Sequence, residues 1–283
     1  MVDCHMHMVL DGENWRSAID RHRSRPDEDF IRQTLAEYAR LGVTYLRDGG
    51  DRWNVGKTAR SMAGEYGITY RTPLFPICRR GHYGGFIGRQ YDTMEEYRQL
   101  LAELRRSGAD FVKLMISGLM DFDRAGVLTE PGLEPSELAE LIRIAHGEGF
   151  SVMAHANGDD TVTAAAEAGV DSVEHGAYLT RRALDAMGAG GTIWVPTLST
   201  IGNLRGKGRF QEQAVERILE SAMENVAEFA ALGGLIAPGS DAGAWAVPHG
   251  IGCQTEYALL NEVLGTSRDA VLNRGTAALR TRF

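Results

Sequence analysis

Apolar residues along this chain fall at two spacings that take turns from one end to the other. Residues 2–7 (VDCHMH) alternate as a strand does, which sets Asp3, His5 and His7 on one face and Val2, Cys4 and Met6 on the other. Residues 28–41 carry apolar positions at helical spacing and stop at Gly42. The change of period then repeats. Strands are predicted over 43–48, 68–77, 110–116, 150–155, 170–175, 192–198 and 235–241, and helices over 55–66, 94–106, 136–147, 159–168, 180–188 and 209–232. Pro73 and Pro76 weaken the third strand, because proline gives no ladder donor. Pro135 opens a helix at the position that tolerates it. Residues 79–88 form a glycine-rich loop, a second loop runs to about 133, and helices over 254–264 and 267–279 close the chain.

Eight strand–helix units in alternation imply parallel strands with right-handed crossovers, and so an α/β fold, a closed (β/α)8 TIM barrel. A doubly wound open sheet would place a glycine fingerprint after strand one, where this chain has histidines. No linker, low-complexity segment or near-identical repeat interrupts residues 1–283, which are read as one barrel domain.

Composition narrows the function. The chain is 43% hydrophobic and 24% charged, an ordinary globular balance. A net charge of −8 offers no basic stripe for nucleic acid. No apolar run reaches membrane-spanning length, and no secretory pattern opens the chain. Cys4, Cys78 and Cys253 are odd in number and widely spaced, which fits neither a disulfide framework nor a cysteine zinc site. A cytoplasmic location with reduced thiols is expected.

In a barrel the active site lies at the C-terminal ends of the strands. Six polar residues stand there: His5 and His7 on strand one, Lys113 on strand four, His155 on strand five, His175 on strand six and Asp241 on strand eight. Each alone has an ordinary structural reading, such as Lys113 snorkelling to solvent or Asp241 capping a helix. All six at equivalent positions would need several coincidences, whereas ligation of divalent metal accounts for the set. Two cations would repel a lysine ammonium. A lysine amine, however, can take up carbon dioxide to give an anionic, bidentate carbamate, which bridges two metals as a carboxylate does.

These residues sit in motifs. The opening Asp3-Cys4-His5-Met6-His7, FVKLMISG around Lys113, AHANG around His155, DSVEHG around His175 and GSDAG around Asp241 resemble the metal-dependent amidohydrolase superfamily. Their order and spacing match its imidazolonepropionase-like and prolidase-like branch. GVTYLRDGG (42–50), GHYGG (81–85) and PHG (248–250) extend the resemblance over nearly the whole chain. The motifs are specific for the superfamily and weakly so for substrate.

The resemblance implies that His5 and His7 bind the more buried of two divalent ions, with Asp241 close by, and that His155 and His175 bind the second. Carbamylated Lys113 and a hydroxide would bridge the pair. Asp241 would take the hydroxide proton during attack and pass it to the leaving group. The implied reaction is hydrolysis of a C–N bond in an amide, cyclic amide or dipeptide-like small molecule. Lactone or carbamate hydrolysis uses the same machinery. Deaminases of the superfamily use one metal and a glutamate after strand five, against which Lys113 and AHANG both argue; an inactive metal-binding relative is a third alternative. Typical members add a small β-sandwich from segments before strand one and after the last helix. By this reading the barrel is expected to lack the usual accessory β-sandwich, as a barrel-only or a truncated form would. Imidazole ligation favours zinc.

Strand-end loops should line the substrate pocket. His82 and Tyr83 follow strand three and His249 follows strand eight, so all three are candidate substrate contacts. Arg79 and Arg80 read either as carboxylate partners or as solvated loop charges. Asp3 and Asp48 are candidates for the hydrogen bonds that metal ligands need behind them. His22 and His146 read as surface or structural, and Asp159 and Asp160 as the start of a helix. Exposed barrel faces often pair, which leaves a homo-oligomer open.

Overall fold

The computed structural model describes residues 1–283 as an α/β fold in which every strand pair is parallel. The chain begins β1 (Val2–Met6), α1 (Trp15–His22), α2 (Glu28–Arg40), β2 (Tyr45–Asp48), α3 (Val55–Ala63), β3 (Thr69–Arg71), β4 (Ile77–Arg79), β5 (Arg89–Tyr91) and α4 (Met94–Ser107). It continues β6 (Val112–Met115), α5 (Pro135–Gly147), β7 (Val152–Ala156), α6 (Asp159–Glu167), β8 (Ser172–His175), α7 (Arg181–Gly190) and β9 (Ile193–Val195). It ends α8 (Ser199–Gly202), α9 (Glu212–Ala231), β10 (Leu235–Ile236), α10 (Ile251–Leu264) and α11 (Arg268–Arg282).

The helices start where local chemistry allows. The Asp27 carboxylate accepts from Phe30 N at α2, the Thr93 hydroxyl accepts from Glu96 N at α4, and Pro135 opens α5. Asp159 and Asp160 fill the first turn of α6, as their charge predicts. Helix α1 has no clear periodic signal in the sequence, because WRSAIDRH offers little but Ala18, Ile19 and His22 to a buried face. No helix is long and apolar enough to cross a membrane.

The strands form two sheets, β1-β2-β3 and β10-β9-β8-β7-β6-β4-β5. One uninterrupted eight-stranded ladder, as read from sequence, is not seen. The expected third strand is broken into β3 and β4 across Pro73 and Pro76, with Leu74 at φ 64° between them. The seventh stops at Val195, before Pro196 and Thr197 at φ 50°. The eighth shrinks to β10, because Pro238 offers no N–H and Asp241 takes φ 54°.

Backbone bonds nonetheless cross between the sheets. Cys4 N donates to Pro238 O (2.8 Å), Asp241 N to His5 O (2.6 Å) and His7 N to Ala242 O (2.7 Å), while Asp110 N donates to Thr72 O (3.1 Å) at the other seam. Side chains from both sheets meet in a cluster of nine buried residues, Cys4, Tyr45, Phe111, Met153, Ile193, Val195, Ala237, Leu279 and Phe283. This cluster forms the floor beneath the polar strand ends.

Strand β1 departs from simple alternation. Asp3 pairs with Leu46 and Met6 with Asp48, so three steps on β1 match two on β2. The extra residue is a bulge, which re-aims side chains. Cys4 consequently packs in the floor cluster and Met6 in a separate cluster against α2 and α3, so the two do not share the face that strict alternation assigns them.

Candidate metal centre and active-site cavity

His5, His7, Lys113, His155, His175 and Asp241 come together at the base of a cavity of about 790 Å³. His5, His175 and Asp241 each offer one donor atom within 4.8 Å of the others. The His155 and His175 rings lie 4.6 Å apart between centroids, those of His5 and His175 5.1 Å, and those of His5 and His7 5.3 Å.

Most of these imidazoles are held from behind by one nitrogen, which presents the other to the cavity. His5 Nδ1 lies 2.8 Å from Glu174 Oε2. A carboxylate only accepts, so Nδ1 carries the proton and Nε2 is bare. His5 Nε2 then sits 3.3 Å from His7 Nε2 and 3.4 Å from Asp241 Oδ1. His155 Nε2 donates to Gly118 O (3.2 Å), which leaves its Nδ1 bare. His175 Nδ1 is bonded to the Thr197 hydroxyl (2.7 Å). His7 Nε2 lies 3.2 Å from Asp241 Oδ1, and its ring rests on Gly49, where a Cβ would fall 2.1 Å from His7 Cε1.

Three buried polar atoms here have no hydrogen-bond partner: His7 Nδ1, Lys113 Nζ and Asp241 Oδ1. Buried groups of this kind ordinarily find partners. Orphaned donor atoms beside bare imidazole nitrogens fit a site for divalent ions.

Protonation states agree. Burial, reinforced by the Lys113 charge, pushes His5 down to about 4 and His155 down to about 3, and burial with the neighbouring histidines pushes His175 well below the usual range. All three are neutral near pH 7, as ligation requires. Burial alone would raise the Asp241 carboxyl, but His5, His7 and Lys113 outweigh it and hold it below its ordinary value. Burial also lowers the Lys113 amine to about 8, which makes the uncharged form accessible near neutrality.

Beneath the donors lies an ion pair that the sequence reading did not single out. Arg47 and Glu174 are both fully buried, with Arg47 Nη2 2.7 Å from Glu174 Oε1. Arg47 also donates to Cys4 O (2.7 Å) and Ser172 Oγ (3.0 Å), and its guanidinium lies over the Phe283 ring at 4.5 Å. Burial would raise Glu174, but Arg47 and His5 overcome it and bring it down to about 2. The signal was present: Arg47 in YLRD and Glu174 in SVEH are charges within otherwise apolar strand segments, and buried charges need partners. Asn157, within AHANG, was also passed over. Its Nδ2 donates to Gly118 O (3.1 Å), and its Oδ1 accepts from Ala177 N (3.0 Å).

Asp3 and Asp48 are buried near the cluster, but neither bonds to the side chain of a candidate ligand. Asp3 accepts from Ser240 N (2.8 Å) and Ser240 Oγ (2.6 Å), which fastens β1 to the Asp241 segment; burial raises its carboxyl to about 6. Asp48 accepts from Thr72 Oγ1 (3.0 Å) and Met8 N (3.3 Å).

The loop residues are placed differently from one another. Tyr83 lines the cavity, its ring 4.8 Å from that of His155. His82 and His249 stand outside the lining. His82 lies 3.9 Å from Glu130 Oε1, and His249 has both ring nitrogens engaged, with Leu10 O (2.9 Å) and the Tyr38 hydroxyl (3.2 Å). Arg79 and Arg80 are ion-paired with Glu137 and Asp92. His22 is buried and accepts from Asp27 N (3.0 Å), whereas His146 is exposed beside Asp171 (2.8 Å).

Three site residues other than glycine adopt left-handed backbone: His175 at φ 70°, Thr197 at φ 50° and Asp241 at φ 54°. Such conformations are disfavoured for residues with a Cβ and cluster at functional sites.

Parallel strands, a buried imidazole–carboxylate–lysine set at their ends and a cavity above it define a protein of the α/β class with a candidate metal site. No family model matches the chain. Over 284 aligned residues it is 30% identical to an uncharacterized protein of Mycobacterium tuberculosis, covering 96% of this chain and 70% of that protein. It is 27% identical to ochratoxinase of Aspergillus niger over 228 residues, 70% of this chain and 47% of that enzyme. Among solved structures, that of A. niger ochratoxinase superposes with a TM-score of 0.78 at 20% identity, covering 98% of this chain and 70% of that one. A Xaa-Pro dipeptidase with methionine in its active site superposes at 0.77 and 21% identity, covering all of this chain and 75% of that one. The chain belongs to the same family as the mycobacterial protein, and its fold is that of the amidohydrolase, dipeptidase and ochratoxinase structures.

Proposed function

We propose that this protein hydrolyses the C–N bond of an amide, cyclic amide or dipeptide-like small molecule at a centre for two divalent ions, with zinc favoured by the imidazole ligands. The observation that carries the reading is the convergence of four histidines, Asp241 and a buried, unpartnered Lys113 at the base of one cavity. His5 and His7 would hold one ion, His155 and His175 the other, and Lys113 as its carbamate would bridge them. Amide hydrolysis by the dipeptidase and ochratoxinase whose folds this chain shares supports the same class of reaction. The bonds between β1 and residues 238–242, with those between Thr72 and Asp110, support closure of the two sheets into one (β/α)8 barrel spanning 1–283.

When bound, the ions supply an acidified water and a polarised carbonyl. The chain's own residues do the rest. Glu174, Gly118 and Thr197 fix the imidazole rings, so the donor set is organised before ligand arrives. Asp241, with its free Oδ1 facing the cavity, accepts the proton of the attacking water and returns it to the departing amine. Tyr83 closes one wall beside His155.

Metal analysis of protein purified without chelator, with bicarbonate present, tests the reading. It expects about two divalent ions per chain. It further expects that Asp241→Asn loses hydrolysis of amide substrates; turnover that survives in that variant would overturn the role of Asp241.

A further inference from the structure

Glu256 on α10 is a fully buried carboxyl that takes no part in the cavity lining. Its Oε2 accepts from Ser199 N (2.8 Å), whereas its Oε1 has no partner. The titratable groups that face it, Asp3 on β1 and Cys253 one turn earlier on α10, are acids, and α8 brings only Ser199 and Leu198. A carboxylate buried without a counter-charge is costly, so the proton stays. Burial, with the Asp3 charge adding to it and the Ser199 bonds opposing it, pushes the carboxyl up to about 8. Near pH 7 Glu256 is therefore a neutral acid that holds Ser199 through one oxygen.

Ser199 is a junction between two strained segments. Its Oγ donates to the carbonyl of Ser240 (2.7 Å), the residue before Asp241. Two residues ahead of it stands Thr197, whose hydroxyl bonds His175 Nδ1 (2.7 Å). The Thr197 carbonyl accepts from both Thr200 N (3.0 Å) and Thr200 Oγ1 (2.8 Å), so residues 197–200 form one tight turn. Thr197 and Asp241, at φ 50° and 54°, lie on the two sides of the junction. Helix α10 also presses directly on the second segment: a Cβ at Gly252 would fall 2.5 Å from Val247 Cγ1 and 3.6 Å from Ser240 Cβ. Backbone in such conformations persists only where its surroundings over-determine it.

We propose that Glu256 is a positioning residue for the candidate donor set: as a neutral acid it latches Ser199, and through Ser199 it holds the Thr197–His175 contact and the Asp241 backbone in place together. It acts from outside the cavity and touches neither substrate nor donor.

The test compares Glu256→Gln, which keeps a neutral acceptor, with Glu256→Leu, which keeps a similar volume and loses the acceptor. In metal-free protein the imidazole nitrogen signals of His175, read by NMR, should shift in Glu256→Leu and stay in place in Glu256→Gln. Zinc affinity in chelator competition should fall at least about tenfold in the leucine variant and remain within about threefold of wild type in the glutamine variant. The folded carboxyl titrates above its unfolded counterpart, so the native state loses ground as pH rises. Between the ordinary carboxyl value and about pH 8, the wild-type unfolding constant should gain on that of Glu256→Gln by about tenfold per pH unit. A folded Glu256→Leu with unchanged His175 signals and zinc affinity overturns the inference, as does a Glu256→Gln that loses as much as the leucine variant, or a ratio of unfolding constants that ignores pH. Should the leucine variant fail to fold, Ser199→Ala takes its place, since it deletes only the bond to Ser240; unchanged zinc affinity there overturns the inference too. The zinc arm rests on the metal-centre reading, and the imidazole signals do not. Wild type that binds no zinc, with the His175 signals shifting as expected, upholds the latch and counts against that reading instead.

Discussion

Replacing Glu174 with glutamine removes one charge and almost no volume, and it asks two questions of the site at once. The carboxylate accepts from Arg47, from Ser172 Oγ (2.6 Å) and from His5 Nδ1. A carboxamide cannot reproduce this. If its oxygen turns toward Arg47 and Ser172, its NH2 faces His5 Nδ1. His5 must then accept there, which moves its proton to Nε2 and removes the lone pair a metal would use. If the amide turns the other way, its NH2 meets the Arg47 guanidinium, and a fully buried cation has lost its counter-charge. Breaking a buried pair in this way costs about 3–5 kcal/mol. Loss of a partner behind a metal ligand costs about 10–100-fold in metal affinity. The expected result for Glu174→Gln is therefore a loss of about 3 kcal/mol in urea unfolding of the metal-free protein, with zinc binding at least about tenfold weaker in chelator competition. The sign with pH follows from Glu174 being depressed to about 2. Its contribution is complete above the unfolded carboxyl value and is lost as pH falls from there toward about 2, so the gap between wild type and variant should narrow in acid. A stability change below about 0.5 kcal/mol together with unchanged zinc affinity would refute the reasoning.

Further outcomes follow from the same geometry. Gly49→Ala would drive a methyl into the His7 ring, so metal content should fall while the fold, followed by circular dichroism, persists. Lys113→Ala should lose bound metal, and added propionate should restore part of both metal content and activity, because a free carboxylate can stand where the carbamate would. Thr197→Val removes the partner of His175 Nδ1, and should weaken metal binding by about tenfold with little change in KM for substrate. For metal-free protein, His5 and His155 are depressed to about 4 and about 3, so the unfolded chain binds more protons below the ordinary histidine value. Stability should be complete above about pH 6.5 and fall with acidification by up to about 1.4 kcal/mol per pH unit for each such group, as denaturant melts across pH would show.

The alternation of periods was enough to read the α/β class and most of the elements, because helices such as α4 and α9 and strands such as β6 and β7 carry their own patterns. The six candidate site residues were legible for the same reason: each lies within or soon after a segment whose apolar run is plain. What was not legible depends on partners distant in sequence. The β1 bulge is a matter of register against β2, and one strand cannot reveal it. The Arg47–Glu174 pair joins residues 127 apart, each of which reads alone as a stray charge. His249 follows strand eight as a pocket residue would, yet Tyr38 and Leu10 engage both its nitrogens, and nothing local announces them.

The left-handed backbone at His175, Thr197 and Asp241 makes this cluster a spring as well as a candidate ligand set. Each such residue stores on the order of 1–3 kcal/mol, against a whole-domain stability of about 5–15 kcal/mol. Glycine would relieve the tension at all three positions but would delete the side chains that justify it. Selection for heat resistance must therefore work elsewhere in the chain, or through tighter metal binding, which rewards the folded state alone.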